Sequence, residues 1–250
     1  MKISALFHEI LCYSTIIVLP YSYHFAGWAG VFIYTLMASN LTVGLDFILS
    51  PTPWENVARI AREYNVSPFA IYALMAVNML CANLLIVGIL VFFGGINVTP
   101  PSVFHTMEML RLVGSLVLYW TLSEVTFTAG HMWLHCTKMG RRIHNMHHLA
   151  RNPSWSTNLL FHPIDLVVEF GGPFITMPLM HYYFIQDPFA FRIAILSLYI
   201  WYAANHSENL GLSHTTHHTS MGKNVLTIYG KYDWFERLTA ADSSSSSKRV

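Results

Sequence analysis

Residues 69–93 read FAIYALMAVNMLCANLLIVGILVFF, a run of 25 positions without an Asp, Glu, Lys or Arg. A helix on the surface of a soluble protein shows a polar face at every turn, and this run has none. About 20 apolar residues suffice to cross the hydrocarbon core of a bilayer as a helix, in which every backbone N–H and C=O is satisfied within the segment. Membrane-spanning helix is therefore the expectation here, and the pattern repeats along the chain. Further apolar runs occupy 3–19, 28–49, 103–129, 164–185 and 189–204, the first and last of them short for a full crossing. Of the 250 residues, 54% are hydrophobic and 11% charged, too apolar for one or two soluble domains. The expected fold class is all-α: a polytopic membrane helical bundle carrying a histidine-rich helical cap on its cytosolic side. The first run lacks a small-residue cleavage site and is read as a retained anchor.

Charge in the connecting segments sets the expected orientation. Segments 20–27 and 94–102 contain no Lys or Arg, whereas 51–67 holds Arg59 and Arg62, and the polar stretch after the fourth run holds Lys138, Arg141, Arg142 and Arg151. By the positive-inside rule the N-terminus, the Arg59 segment and this stretch share the cytosolic face. His24, His105 and His181 then fall toward the opposite face. Arg192, near the start of the last run, argues against the scheme. The net charge of +1, with no basic patch interleaved with aromatics, marks no nucleic-acid surface. Cys12, Cys81 and Cys136 are scattered, which implies neither a disulfide framework nor a zinc ribbon. The NxS/T triplets at Asn40, Asn65, Asn97 and Asn205 lie in or beside expected spans or on the cytosolic side, so no glycosylation is expected.

The chemistry concentrates in nine histidines. They read HMWLH (His131, His135), HNMHH (His144, His147, His148), a single His206 in ANHSEN, and HTTHH (His214, His217, His218). Residues three and four apart share a helix face, and neutral imidazole is the commonest metal ligand. One such pair would pass for satisfied core histidines. Two copies of HxxHH after an HxxxH do not, because histidine is a poor filler for an apolar interior. Nine imidazoles exceed the four that one tetrahedral zinc takes and suit two metals. Imidazole serves zinc, copper and iron alike, so ligand type leaves the metal open.

The order HxxxH, HxxHH, HxxHH on a polytopic chain resembles the fatty acid hydroxylase/sterol desaturase superfamily of membrane di-iron oxygenases. The resemblance spans about Glu124 to Asp233. Glu124 stands seven residues before His131, where the family usually carries an acid. The step from His135 to His144 is similar to the sterol 4-methyl oxidase type. FHPID, from Phe161 to Asp165, resembles that branch's HPLE, and His206-Ser207 its HSG; Asn224 and Asp233 fall where its NY and WD elements lie. The chain departs from the pattern in the tail, where YDWFERL replaces WDRLFGT, and in the shorter stretch between His206 and His214. A polar residue four before the isolated His supports a metal in related desaturases; that position is Tyr202 here.

The resemblance implies two iron ions on the nine histidines. His162 and Asn205 are candidates for a tenth ligand or for supporting contacts. Glu124, Asp165 and Asp233 are expected to orient ligand rings, with Asn224 as a further supporting residue. It implies O2-dependent hydroxylation or desaturation of a lipid, sterol-like ahead of fatty acyl or sphingoid, at the endoplasmic reticulum in a eukaryote. No cytochrome b5-like HPGG segment is present, so electrons are expected in trans from a cytochrome b5-type protein and an NAD(P)H reductase. The expected organisation is membrane spans over 1–102, a hydroxylase-like catalytic domain over 103–240 and a serine-rich tail over 241–250. Two other readings stay open: a zinc-dependent membrane hydrolase, although HExxH is absent, and a non-catalytic scaffold or metal-handling relative. Neither the lipid, the carbon oxidised nor the oligomeric state is legible.

Overall fold

The computed structural model describes residues 3–95, 106–151, 154–204, 206 and 217–218. Among these the chain is helical throughout, with no strand. Eight α-helices follow in order: α1 (Ile3–Leu49), α2 (Thr52–Glu63), α3 (Pro68–Phe92), α4 (Thr106–Cys136), α5 (Lys138–His148), α6 (Pro163–Glu169), α7 (Gly171–Met180) and α8 (Pro188–Ala204). A 3-10 turn (Trp155–Leu159) precedes α6, and a π turn (His181–Ile185) follows α7. Three helices are long and apolar enough to cross a membrane: Ile10–Leu49, Pro68–Phe92 and Thr106–Cys136. An integral membrane protein is what they are compatible with.

The first two expected runs share one kinked helix. α1 breaks at Ala26 and Gly27, where Gly27 takes φ 57° and ψ −150°, a backbone state that favours glycine. The chain folds back on itself there, because Tyr34 Oη donates to Thr15 O at 2.8 Å across the break. The two limbs are therefore an antiparallel hairpin. The short amphipathic α2 follows, burying Val57, Ile60 and Ala61 and exposing Trp54. Its Arg59 donates to Leu149 O at 2.9 Å, just past α5. The Arg59 segment and the histidine-bearing α5 thus lie at the same end of the bundle, as their shared charge predicts.

The expected span at 164–185 is not one helix. It is divided into α6, α7 and the π turn, with Phe170 at the first joint and Pro178 inside α7. Apolar composition alone does not report such joints, because the broken pieces bury the same side chains. α7 runs back along α4. His181 Nδ1 meets the Tyr119 hydroxyl at 3.0 Å and its ring stacks on Phe191 at 4.4 Å. α8 then returns toward the histidine end, with Trp120 Nε1 donating to Ser197 Oγ at 3.0 Å and Tyr202 packed on Phe127 at 5.2 Å. Arg192, the cation that fits the charge rule poorly, donates to the Tyr21 hydroxyl at 2.9 Å and lies over that ring. Burial of Phe174, Phe191, Ile86, Leu90 and Tyr119 makes the main core between α3, α4, α7 and α8. A second core joins Phe47, Ile60 and Met75 to Trp155 and Leu160 beside the histidines.

Candidate metal centre

The fourth apolar run does not stop before its histidines. α4 continues through Cys136, so His131 and His135 sit one turn apart on its last turns. A single residue, Thr137, separates α4 from α5, and its hydroxyl caps α5 by accepting from Gly140 N at 2.9 Å. The corner is tight: a Cβ on Gly140 would sit 2.6 Å from Leu134 Cα and Trp133 O. Arg141 fastens it from outside, donating to the carbonyls of His135 and Cys136 at 3.2 and 3.3 Å. Folded this way, α5 lays its histidines over the end of α4.

Eight imidazoles converge in two groups. His131, His135, His144, His148 and His217 form one; His147, His206 and His218 form the other. In the larger group the Nε2 atoms of His131 and His217 are 2.9 Å apart, His217 and His135 2.9 Å, His131 and His135 3.2 Å, His135 and His148 3.2 Å, and His144 and His148 3.0 Å. In the smaller group His206 Nε2 lies 3.2 Å from His147 and 2.9 Å from His218. All eight are buried except His135, which is partly exposed. The HxxHH pattern is thereby explained differently from a single shared face. Positions i and i+4 (His144, His148) serve the larger group, and i+3 (His147) serves the smaller. Neighbouring residues on a helix point about 100° apart, so an adjacent pair straddles two sites. His217 and His218 divide in the same way.

The spacing fits metals. A metal–nitrogen bond of about 2.1 Å puts adjacent ligand nitrogens of an octahedron about 3.0 Å apart, and the observed separations cluster there. Five lone pairs aimed at one point repel one another unless a cation lies between them. The protonation pattern agrees. His144 Nδ1 contacts Asp165 Oδ2 at 2.9 Å, and His131 Nδ1 contacts Glu169, both acids being buried. A carboxylate at Nδ1 holds the proton there and leaves Nε2 as the donor atom toward the centre. Outside the spans, burial first, then the crowd of neighbouring imidazoles, pushes His147, His148 and His218 well down, and burial holds His206 down to about 3. These rings stay neutral, the state a ligand needs.

The residues expected to support the ligands divide. Asp165 does orient a ring. Glu169, on which the sequence placed no role, contacts His131 in the same way and also lies 3.7 Å from His144 Nδ1. The signal was available: Asp165 and Glu169 are four apart on one helix, so they share a face. Glu124 is buried on α4 two turns before His131, but the ring contacts just described are made by the other two acids. His162 lies in neither histidine group; it is the N-cap of α6, its Nδ1 accepting from Ile164 N at 3.2 Å, with Pro163 at the first helical position. Tyr202 packs on Phe127 and Phe170. His214, Asn205, Asn224 and Asp233 lie outside the described residues. Two aromatic rings close the centre: Phe161 stacks on His147 at 4.2 Å and Phe127 on His131 at 5.2 Å.

No protein-family model, no curated protein and no solved structure matches this chain.

Proposed function

We propose that this protein is a membrane-bound dinuclear iron oxygenase that hydroxylates or desaturates a lipid, sterol-like lipids ahead of fatty acyl or sphingoid ones. The observation that carries the reading is the pairing of two adjacent imidazole groups, five and three, at the end of a helix long and apolar enough to cross a membrane. The larger group would hold one iron through His131, His135, His144, His148 and His217. The smaller would hold the other through His147, His206 and His218, with His214 expected to join them. Bound there, an iron pair supplies the O2-derived oxidising power that an unactivated C–H bond requires.

The chain's own residues do the rest. Asp165 and Glu169 keep the Nδ1 protons of His144 and His131 in place and fix both ring planes. Phe161 and Phe127 keep water off the ring faces. The partly exposed His135 is the edge of the centre nearest solvent, where electrons from a cytochrome b5-type donor and its reductase would enter. In a eukaryotic cell the site would face the cytosol from the endoplasmic reticulum membrane. The test is metal content together with an O2- and reductant-dependent lipid profile, on purified wild type and His147→Ala. Two irons per chain and an oxidised lipid lost in the variant are the expected result. Zinc alone, with no lipid change after iron reconstitution, would refute the oxygenase and favour a hydrolase or a scaffold.

A further inference from the structure

Two amides interrupt the charge-free run 69–93: Asn78 and Asn83, both buried on α3. A side-chain amide carries two N–H donors, and burying them without partners is costly. Asn78 directs both donors at one short segment, giving them to Leu159 O and Phe161 O at 2.9 Å each. Those acceptors lie 81 and 83 positions further along the chain. The same segment is held from other sides. Asp46, buried on α1, accepts from Ser156 N at 3.0 Å. Asn158 donates to Ala203 O on α8 at 2.8 Å, three residues before His206. What the segment presents to the histidines is the Phe161 ring. That ring is buried and stacks on His147, with centroids 4.2 Å apart and planes 11° from parallel. Asn83, five residues after Asn78, is a useful contrast. It donates to Thr35 Oγ1 at 3.2 Å and accepts from the Tyr199 hydroxyl at 2.7 Å, bonds to α1 and α8 that do not involve the segment.

The two imidazole groups are supported differently. In the larger one, Asp165 and Glu169 hold His144 and His131 through Nδ1. In the smaller one, the flat face of His147 rests on Phe161, and the position of Phe161 depends on its backbone. A metal site tolerates misplacement of only about 0.5 Å in its ligands, so the backbone behind such a ring must be fixed. We propose that Asn78 is a positioning residue for the three-histidine group. By holding the carbonyls of Leu159 and Phe161 it keeps the Phe161 ring on His147, and so aims His147 at His206, whose Nε2 lies 3.2 Å away. The third apolar run, expected as a membrane span outside the catalytic part, thereby belongs to the frame of the metal centre. This rests on the smaller group taking a metal, whichever metal that is and whatever reaction follows.

Asn78→Leu keeps the size of the side chain and removes both donors. The full chain in nanodiscs would be read in two ways. The first is metal content against buffered free Fe(II) under anaerobic conditions. Asn78→Leu should weaken one metal by about 10- to 100-fold and leave the other unchanged. The affected metal is identified by background: the loss should persist with His144→Ala and His148→Ala, and vanish with His147→Ala and His206→Ala. The second reading needs no metal. Diethyl pyrocarbonate modifies neutral imidazoles, and mass spectrometry gives the rate at each histidine. Asn78→Leu should raise the rate at His147 several-fold relative to His144. Asn83→Leu, which also deletes a buried amide, should change neither reading, although both variants lose stability. Equal weakening of both metals, the same changes in Asn83→Leu, or an unchanged ratio of His147 to His144 would overturn the proposal. If Asn78→Leu fails to fold, Phe161→Leu decides, because it leaves both backbone bonds and removes only the stacked ring. It should weaken the same metal, and wild-type affinity in that variant would overturn the proposal. A wild-type chain that takes no Fe(II) would sink the metal reading, while the His147 ratio would still decide the role of Asn78.

Discussion

Sequence neighbours His147 and His148 belong to different imidazole groups, while His144 and His148, four apart, belong to the same one. Double substitutions turn this into a measurement. A four-ligand zinc site is worth roughly 10–16 kcal/mol, so each imidazole contributes about 2.5–4 kcal/mol, or two to three orders of magnitude in affinity. Removing His144 and His148 together takes two of five ligands from one group and leaves the other untouched. Metal content should fall from two per chain to one, the retained metal keeping its wild-type affinity. His147→Ala with His206→Ala should give the mirror result: again one metal, now held by the five-histidine group. His147→Ala with His148→Ala removes one ligand from each group. Both metals should then weaken by about 100- to 1000-fold, and neither should keep wild-type affinity. The assay is metal content by mass spectrometry over a series of buffered free Fe(II) concentrations under anaerobic conditions. If the His147/His148 pair loses one metal cleanly, or the His144/His148 pair weakens both, the division into five and three is wrong.

Three further outcomes follow from the same geometry. Glu169→Gln should weaken metal in the five-histidine group by about 10- to 100-fold and leave the three-histidine group unchanged, since only the former contains His131; equal loss at both groups would contradict the contact. Acid should destabilise the metal-free protein. His206 is held down to about 3 when folded against 6.5 unfolded, so between these values the unfolded chain binds a proton that the folded chain does not, and stability falls as pH falls from 6.5 toward 3. His147, His148 and His218 shift in the same direction, each adding up to about 1.4 kcal/mol per pH unit; denaturation midpoints in detergent across that range check it, and a flat profile would contradict neutral buried rings. Gly140→Ala should cost about 1–3 kcal/mol through the clash at the α4–α5 corner and lower metal content in both groups, because α5 supplies histidines to each; wild-type stability with full metal would show that the corner relaxes at no cost.

Much of this protein is legible from residue order. The run at 69–93 is helix because nothing else satisfies its backbone in an apolar surround, and α3 covers Pro68–Phe92. The hairpin break was marked by the uncharged stretch 20–27, which ends on the glycine that takes the left-handed state. The histidine spacings announced a convergence of imidazoles because 3.6 residues per turn converts three and four into proximity. Periodicity is a local property of one helix, and those conclusions need only one helix at a time.

Everything that depends on two helices meeting had to wait for the tertiary structure. Spacing alone would put His144, His147 and His148 on one face of α5. What divides them is the placement of α4 and the segments bearing His206, His217 and His218 on either side of that face. Glu169 and His162 look alike from sequence, each a polar residue near an apolar run. In the fold Glu169 meets the His131 ring, whereas His162 caps the start of α6. Asn78 and Asn158 are ordinary amides in the sequence, and only packing decides that Asn78 donates to Leu159 O and Phe161 O and Asn158 to Trp155 O and Ala203 O. Chain order determines what each residue can donate or accept; the distances between segments remote in sequence determine which partner it meets.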